Sequence, residues 1–375
     1  MIKVQYILSG WLLVTIAATV HCHVLYEVNA DAYNQGERMV RVAINGLGRI
    51  GRNFLRCVMS SEVARKHIDI VAINIGPAKK EFVAHMFTYD TLMGTFGGTV
   101  ALEGDFLTVN GHKIKIIAER DPAAIDWKGI NADWVVECTG FFTKRDGAQK
   151  HIQAGARHVL ISAPAQDEDI SIVPGINHAE FNGQEHKIVS LGSCTTNAFL
   201  PMIKILDDAY GIVRGFMTTI HAYTNNQVLL DVETDDLRRS RAAALNIIPT
   251  STGVAGMIPK LMPHLHDCIS AISIRVPVGK VSLVDFVCEL KKDVTAAEIK
   301  EVFYTASRNQ FNGIVATTDE ELVSSDFGGS NFSVTIDQSL TQVTGNAVKI
   351  FGWYDNEWGY SMRLMDFLIY VAQSN

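Results

Sequence analysis

The chain has little that would mark it for nucleic acid, metal or membrane. It carries 33 Lys and Arg against 40 Asp and Glu, a net charge of −7, so it has no global nucleic-acid footprint. Its six cysteines are Cys22, Cys57, Cys138, Cys194, Cys268 and Cys288, and no two are spaced C-x-x-C. That excludes a zinc ribbon and a dithiol redox motif, and no metal site is expected. Four of the six sit in apolar runs such as Trp134-Val135-Val136-Glu137-Cys138 and read as small core residues. This usage fits a reducing compartment, so a cytoplasmic location is expected. There is no low-complexity run and no repeat at a solenoid period. What remains is 375 residues with 47% apolar and 19% charged content, ordinary for a soluble α/β protein of two domains.

Residues 1–38 are an N-terminal extension with two readings. Lys3 precedes an apolar stretch, Val4 to Val20, broken by Gln5, Ser9 and Gly10, with Ala17-Ala18 placed like a cleavage site. That is a signal-like segment, too short to span a membrane. The preferred reading is a mis-called start: Met39 begins the protein, and purine-rich codons for Gly36-Glu37-Arg38 are a ribosome-binding site.

From Met39 the pattern is that of an α/β protein. Val40–Asn45 alternates and is β-branched, so a strand is expected. Gly46-Leu47-Gly48-Arg49-Ile50-Gly51 follows, then an amphipathic helix from Asn53 to Val63 and a buried parallel strand, Ile68–Asn74. Short apolar runs at 115–118, 134–138, 158–162 and 187–191 extend this into a Rossmann-type doubly wound parallel sheet. After Leu191 a helix starts at Cys194. Long alternating runs at 212–223, 271–276, 281–290, 332–336 and 347–353 then predict a second, α+β catalytic domain with a mostly antiparallel sheet. A terminal amphipathic helix covers Asn356 to Ala372, and 225–249 reads as a long functional loop. The expected division is 39–192 with 357–375 as the dinucleotide-binding domain and 193–356 as the catalytic domain.

The glycine turn carries the first chemistry. In G-x-G-x-x-G, Gly46 makes the tight turn, Gly48 lets backbone approach a pyrophosphate, and Gly51 lets helix pack on strand. The helix N-terminus then faces the phosphates. The acid expected at the end of the second strand, which would bond the ribose 2′-hydroxyl and repel a 2′-phosphate, is missing: the chain reads Asn74-Ile75-Gly76-Pro77, with Lys79 and Lys80 nearby. NAD is the expected cofactor, with NADP possible.

The second feature is Ser193-Cys194-Thr195-Thr196-Asn197, which follows a strand and opens a helix. A thiol there is expected to be more acidic, because exposed N–H groups and the helix dipole favour thiolate. Its small polar neighbours argue against a core site. His221, at the end of the strand 216–220, is the candidate base, although nothing in the linear sequence places the two together.

The chain resembles the phosphorylating D-glyceraldehyde-3-phosphate dehydrogenase family from about Met39 to the end. The resemblance rests on the segments 45–52, 193–197, His221-Ala222-Tyr223-Thr224, Leu237-Arg238-Arg239, Pro249-Thr250-Ser251-Thr252-Gly253, Arg275-Val276-Pro277 and 353–360, taken together and in order. It implies a glycolytic homotetramer that forms a thioester on Cys194, with His221 as base. It implies that Ser193, Thr195, Arg239, Thr252 and Gly253 hold the attacking inorganic phosphate. Thr224 and Arg275 would hold the phosphate of the small-molecule substrate. Gly46, Gly48, Arg49, Ile50 and Gly51 would contact the cofactor along its pyrophosphate, Asn356 its carboxamide, and Arg120 and Thr139 its adenosine and phosphates.

Departures from the family pattern include Ile75 at the ribose acid, Ala198 where a second cysteine is common, Asn226 for an aspartate, and Val232-Glu233 in the loop near the ribose. Glu233 facing the ribose would repel a 2′-phosphate, against the permissive Ile75. Two alternatives stand beside the leading reading: an erythrose-4-phosphate dehydrogenase, and a surface-exposed binding protein on the same fold.

Overall fold

In the computed structural model residues 39–374 are described, and both readings of residues 1–38 lie outside them. The first sheet has nine strands in the spatial order Ile170–Ser171, Ile188–Ser190, His158–Ile161, Trp134–Glu137, Val40–Asn45, Ile68–Asn74, His112–Ile117, Phe106–Val109 and Val100–Glu103. The first seven run parallel. Val40–Asn45 lies at the centre, and the strand order reverses there, which opens a crevice at the carboxyl ends of the strands. Asn45 pairs in register with Asn74 on one side and Glu137 on the other, so three polar side chains end three neighbouring strands at one level.

The last two strands of that sheet are antiparallel, which the sequence reading did not anticipate. They are short and half solvated, so they lack the continuous apolar run that signals a buried strand. The helix expected from Asn53 to Val63 spans Arg49–Ser60 and stops at Ser61. The Ser61 hydroxyl accepts from Ala64 N at 3.1 Å and starts a second helix, Glu62–His67.

The second sheet orders Ile248–Thr250, Ile269–Val276, Ile212–Ala222, Ser282–Leu290, Ala347–Tyr354, Val334–Thr344 and Val315–Thr318. Four of its pairings are antiparallel and two parallel, so the expectation of a mostly antiparallel sheet holds. One face packs on the helices Cys194–Tyr210 and Ala296–Arg308 through Phe199, Phe286 and Phe303. The other face keeps Phe216, Ile272 and Val287 exposed. The terminal helix, Trp358–Ser374, returns to the first sheet and packs on Arg49–Ser60. Cys194 touches the cores of both sheets, at the seam between them.

Candidate active site

A cleft of about 710 Å³ runs along that seam. Its walls include Gly48, Arg49, Ile50 and Thr139 at one end and Ser193, Cys194, His221, Thr224, Arg275 and Asn356 at the other. The turn before Cys194 is built by its own sequence. Gly192 takes φ +62°, a left-handed turn that suits glycine. The Ser193 hydroxyl then caps the helix by accepting from Thr196 N at 3.0 Å. Asn197 donates back to Leu191 O at 2.7 Å and Ser193 O at 3.0 Å, which pins the turn.

The strand Ile212–Ala222 delivers His221 so that Nε2 lies 3.5 Å from Cys194 Sγ. His221 Nδ1 lies 2.6 Å from Ala222 O and 2.7 Å from Arg275 Nη1, which also donates to that oxygen at 3.0 Å. The carbonyl only accepts and the guanidinium only donates, so Nδ1 serves one at a time; with its proton toward Ala222 O, the ring turns the lone pair of Nε2 to the thiol. Burial and the Arg275 guanidinium hold the imidazole down at about 3, against the Ala222 carbonyl, so it is a neutral base.

The expectation of a more acidic thiol is corrected. Burial pushes the Cys194 thiol up, and Arg275, Thr195 and the backbone only partly offset this. A helix terminus favours thiolate, but taking the sulfur out of water outweighs it here.

Arg275 is half-buried and pairs with no carboxylate among the described residues. Its Nε is buried without a partner, which leaves a donor waiting for an anion beside the thiol. Thr224 lies on the same wall, its hydroxyl donating to Asn226 Oδ1 at 2.6 Å. Arg239, rather than the exposed Arg238, turns inward, and its Nε donates to Thr250 Oγ1 at 2.9 Å. Thr252 and Gly253 sit at the start of the helix Val254–Leu261, which has no side-chain cap, and Gly253 borders the cleft-lining Pro164. Thr195 is buried, with its hydroxyl 3.0 Å from Tyr354 OH and 4.0 Å from Cys194 Sγ.

The glycine turn fits a dinucleotide. Gly46 takes φ +95°, and a Cβ on it would sit 2.8 Å from Thr139 Cγ2. A Cβ on Gly51 would strike Gly46 O at 2.1 Å. Gly48 faces open space and starts its helix with no side-chain cap, so the first N–H groups are free for phosphate. Arg49 contributes through its position rather than its charge. Its guanidinium is held by Glu357, through Nε at 2.8 Å to Oε1 and through Nη2 to Oε2, and by Asp90 through Nη1. Asn356, next to Glu357, is buried, and its Oδ1 accepts from Ser282 Oγ at 3.2 Å. Arg120 stands apart, exposed beyond the end of the strand His112–Ile117 and absent from the cleft wall.

Three positioning groups escaped the sequence reading. Glu357 falls in the 353–360 motif with no role of its own there, and Asp90 falls in a segment with no catalytic signature. Val281, a β-branched residue at φ +69°, precedes Ser282, whose hydroxyl also accepts from Ala222 N at 3.1 Å. Such strain costs on the order of 1–3 kcal/mol, and a valine beside a strand gives no sign of it.

Residues 40–145 match the family described as glyceraldehyde 3-phosphate dehydrogenase, NAD binding domain, and residues 193–356 match its C-terminal domain. The chain belongs to the glyceraldehyde-3-phosphate dehydrogenase family. It is 47% identical over 335 residues to glyceraldehyde-3-phosphate dehydrogenase 2 of Streptomyces avermitilis, covering 89% of this chain and 98% of the relative. The glyceraldehyde-3-phosphate dehydrogenase of Streptomyces coelicolor is 48% identical over 336 residues with the same coverage. Glyceraldehyde-3-phosphate dehydrogenase 1 of Bacillus subtilis is 45% identical over 335 residues, again 89% and 98%. As a member of this family the chain is an NAD-dependent oxidoreductase acting on an aldehyde.

Proposed function

We propose that this chain oxidises D-glyceraldehyde 3-phosphate to 1,3-bisphosphoglycerate through a thioester on Cys194. The observation that carries the reading is the thiol, a buried imidazole and a guanidinium that pairs with no carboxylate among the described residues, all converging in one cleft. His221 Nε2 takes the thiol proton as Sγ bonds the aldehyde carbon. The backbone N–H of Cys194, at the helix start, holds the oxygen that gains charge in this reading. His221 returns that proton to the oxygen and later takes the hydroxyl proton of the hemithioacetal as the carbon gives up hydride. NAD, when bound, supplies the acceptor for that hydride. The thioester left on Cys194 is then broken by phosphate, which takes the acyl group and releases the thiolate.

Arg275 and Thr224 hold the substrate phosphate in this reading. Ser193, Thr195, Arg239, Thr252 and Gly253 serve the attacking phosphate; the uncapped helix start supports this, while Thr195 must first give up Tyr354. Gly46, Gly48, Ile50, Gly51 and the backbone of Arg49 cradle the pyrophosphate, Thr139 and Arg120 serve the adenosine side, and Asn356 fixes the carboxamide. Residues 39–192 with 357–375 act as the cofactor unit and 193–356 as the catalytic unit.

A cytoplasmic homotetramer is the assembly we favour. The open face of the second sheet, with Leu229, Leu230, Leu237, Leu245 and Ile247 exposed in and beside the 225–249 loop, is a large apolar surface of the kind oligomers cover. Among the described residues no helix is long and apolar enough to cross a membrane.

The test is NADH formation from glyceraldehyde 3-phosphate and from erythrose 4-phosphate, each with and without phosphate. Turnover should prefer the triose and require phosphate. Phosphate-independent turnover that prefers the tetrose overturns the reading.

A further inference from the structure

One part of the cleft wall has no role in the chemistry above. Tyr89–Asp90 and Gly94–Thr95 pair as a short antiparallel hairpin, and Thr91, Leu92 and Met93 form its tip. The tip is pinned from inside. Asp90 Oδ1 accepts from Leu92 N at 2.9 Å and from Met93 N at 3.0 Å, while Oδ2 accepts from Arg49 Nη1. Gly94 closes the turn at φ +72°, a left-handed conformation that suits glycine. One carboxylate therefore holds both the hairpin tip and the guanidinium at the start of the glycine-turn helix.

From this tip Leu92 reaches across to the side of the second sheet. A Cβ on Gly279 would sit 2.9 Å from Leu92 Cδ2 and 3.6 Å from Tyr223 OH, so the leucine and the phenol meet over a residue that has no side chain. Gly279 is not in the left-handed region, so its glycine provides room for the leucine rather than an unusual backbone. Met93 adds a second contact, with Lys280 Nζ 3.8 Å from its Sδ. Leu92, Tyr223 and Gly279 all line the cleft.

The bridge stands beside the two ends of the proposed substrate. Tyr223 lies in sequence between His221 and Thr224, and its N–H donates to Val278 O at 3.1 Å, which ties the loop after Arg275 to the same strand end. Cys194 bonds the aldehyde carbon, and Thr224 with Arg275 holds the phosphate. Both anchors are fixed by the fold, so they suit one chain length. A chain one carbon longer must bow out of the line between them. The helix start and the strands close the floor of the cleft, and Leu92 covers the side that is left.

We propose that Leu92 is the roof that sets the length of the aldehyde, favouring three carbons between sulfur and phosphate over four. Its side chain fills space and offers no hydrogen bond, so an extra carbon finds no room there and its hydroxyl no partner. One carbon more or less in an apolar pocket is worth about 10–200-fold in discrimination. Thr224 and Arg275 meet the same phosphate in both aldehydes and cannot supply that distinction alone.

The proposal rests on the phosphorylating triose reading, and it is judged on a shift between variants rather than on the wild type. With NAD and phosphate, kcat/KM is measured for D-glyceraldehyde 3-phosphate and D-erythrose 4-phosphate in the wild type, Leu92→Ala, Leu92→Val and Thr91→Ala. Leu92→Ala should lower the triose-to-tetrose ratio at least about tenfold, through a gain on the tetrose, and Leu92→Val about two- to fourfold. Thr91→Ala, exposed at the same tip, should leave the ratio within about twofold. A ratio unchanged in both Leu92 variants overturns the proposal, and Leu92→Val carries the test if Leu92→Ala does not fold. A fall in kcat/KM shared equally by the two aldehydes is the mark of a merely structural role and overturns it too. So does an equal shift in Thr91→Ala, which would assign the effect to a loosened tip. A wild type that prefers the tetrose sinks the functional reading alone, since the roof still stands or falls on the shift that Leu92→Ala makes.

Discussion

The two ends of the cleft are built by opposite rules. At the thiol end polar valences are left open. Arg275 Nε has no partner, and the Cys194–His221 contact is loose at 3.5 Å. At the ribose end every valence of Glu137 and Asn74 is already spent on protein. The difference follows from what each end meets. A reacting group must hold donors and lone pairs in reserve for a substrate that arrives and leaves. A corner that holds three strand ends in register can be satisfied in advance and needs no donor in reserve.

The largest expected effect lies at the open end. Cys194→Ser should abolish dehydrogenase turnover, by at least about 10⁴-fold in kcat, since every covalent step passes through the sulfur. NAD affinity by calorimetry should stay within about twofold. A coupled loss of NAD binding would break the contrast, because it would mean that the two ends are one site.

His221→Asn removes the base and should cost about 10²–10⁴-fold in kcat. It also has a stability signature whose sign is fixed. The wild-type imidazole is depressed to about 3, below its ordinary value near 6.5. Its contribution is therefore complete above about pH 6.5 and is lost as pH falls toward 3, where the unfolded chain binds a proton that the folded chain refuses. Thermal melts between pH 7 and 4 should show a shallower acid decline in His221→Asn than in the wild type. Equal slopes would mean that the ring is not held neutral.

Arg275→Gln tests whether the reserved donor matters. Loss of one charge-assisted phosphate contact should raise KM for the aldehyde about 10–100-fold. Arg275 also opposes the burial that raises the thiol and helps depress His221. Iodoacetamide labelling of Cys194 at pH 7 should therefore slow in this variant. Unchanged labelling with a raised KM would confine Arg275 to substrate binding.

Most of the fold was legible because its strands are buried on both faces or alternate cleanly. Val40–Asn45, Ile68–Asn74 and the helix start at Cys194 fall where the pattern put them. The antiparallel edge did not, because its short strands carry no apolar run. At the site, the residues with a local signature could be named: glycines at a strand–helix turn, a cysteine at a helix start. Their pairing is long-range. His221 reaches Cys194 only because its strand crosses the second sheet beside the helix, and no spacing encodes that. Even a correctly placed residue can carry the wrong expectation. The helix terminus promised an acidic thiol, but burial, which a linear pattern does not show, reversed the direction. The same holds for Glu137, which reads as one polar break in an apolar strand.

The smallest expected effect lies between the two ends. Arg49 clamps the start of the glycine-turn helix to Glu357, one residue from Asn356. That fixes the span between the glycine turn and Asn356, which under the proposed function is the distance between pyrophosphate and carboxamide that the cofactor must match. Arg49→Lys keeps the charge but loses the planar fork that meets a carboxylate at two points. Residual pairing with Asp90 and Glu357 should keep the protein folded, so the cost is one of geometry. KM for NAD should rise about three- to tenfold with kcat at saturating NAD changed less than twofold, the pattern of lost ground-state binding. A fall in kcat with KM unchanged would place the clamp in the chemistry instead, and would tie the open end to the closed one.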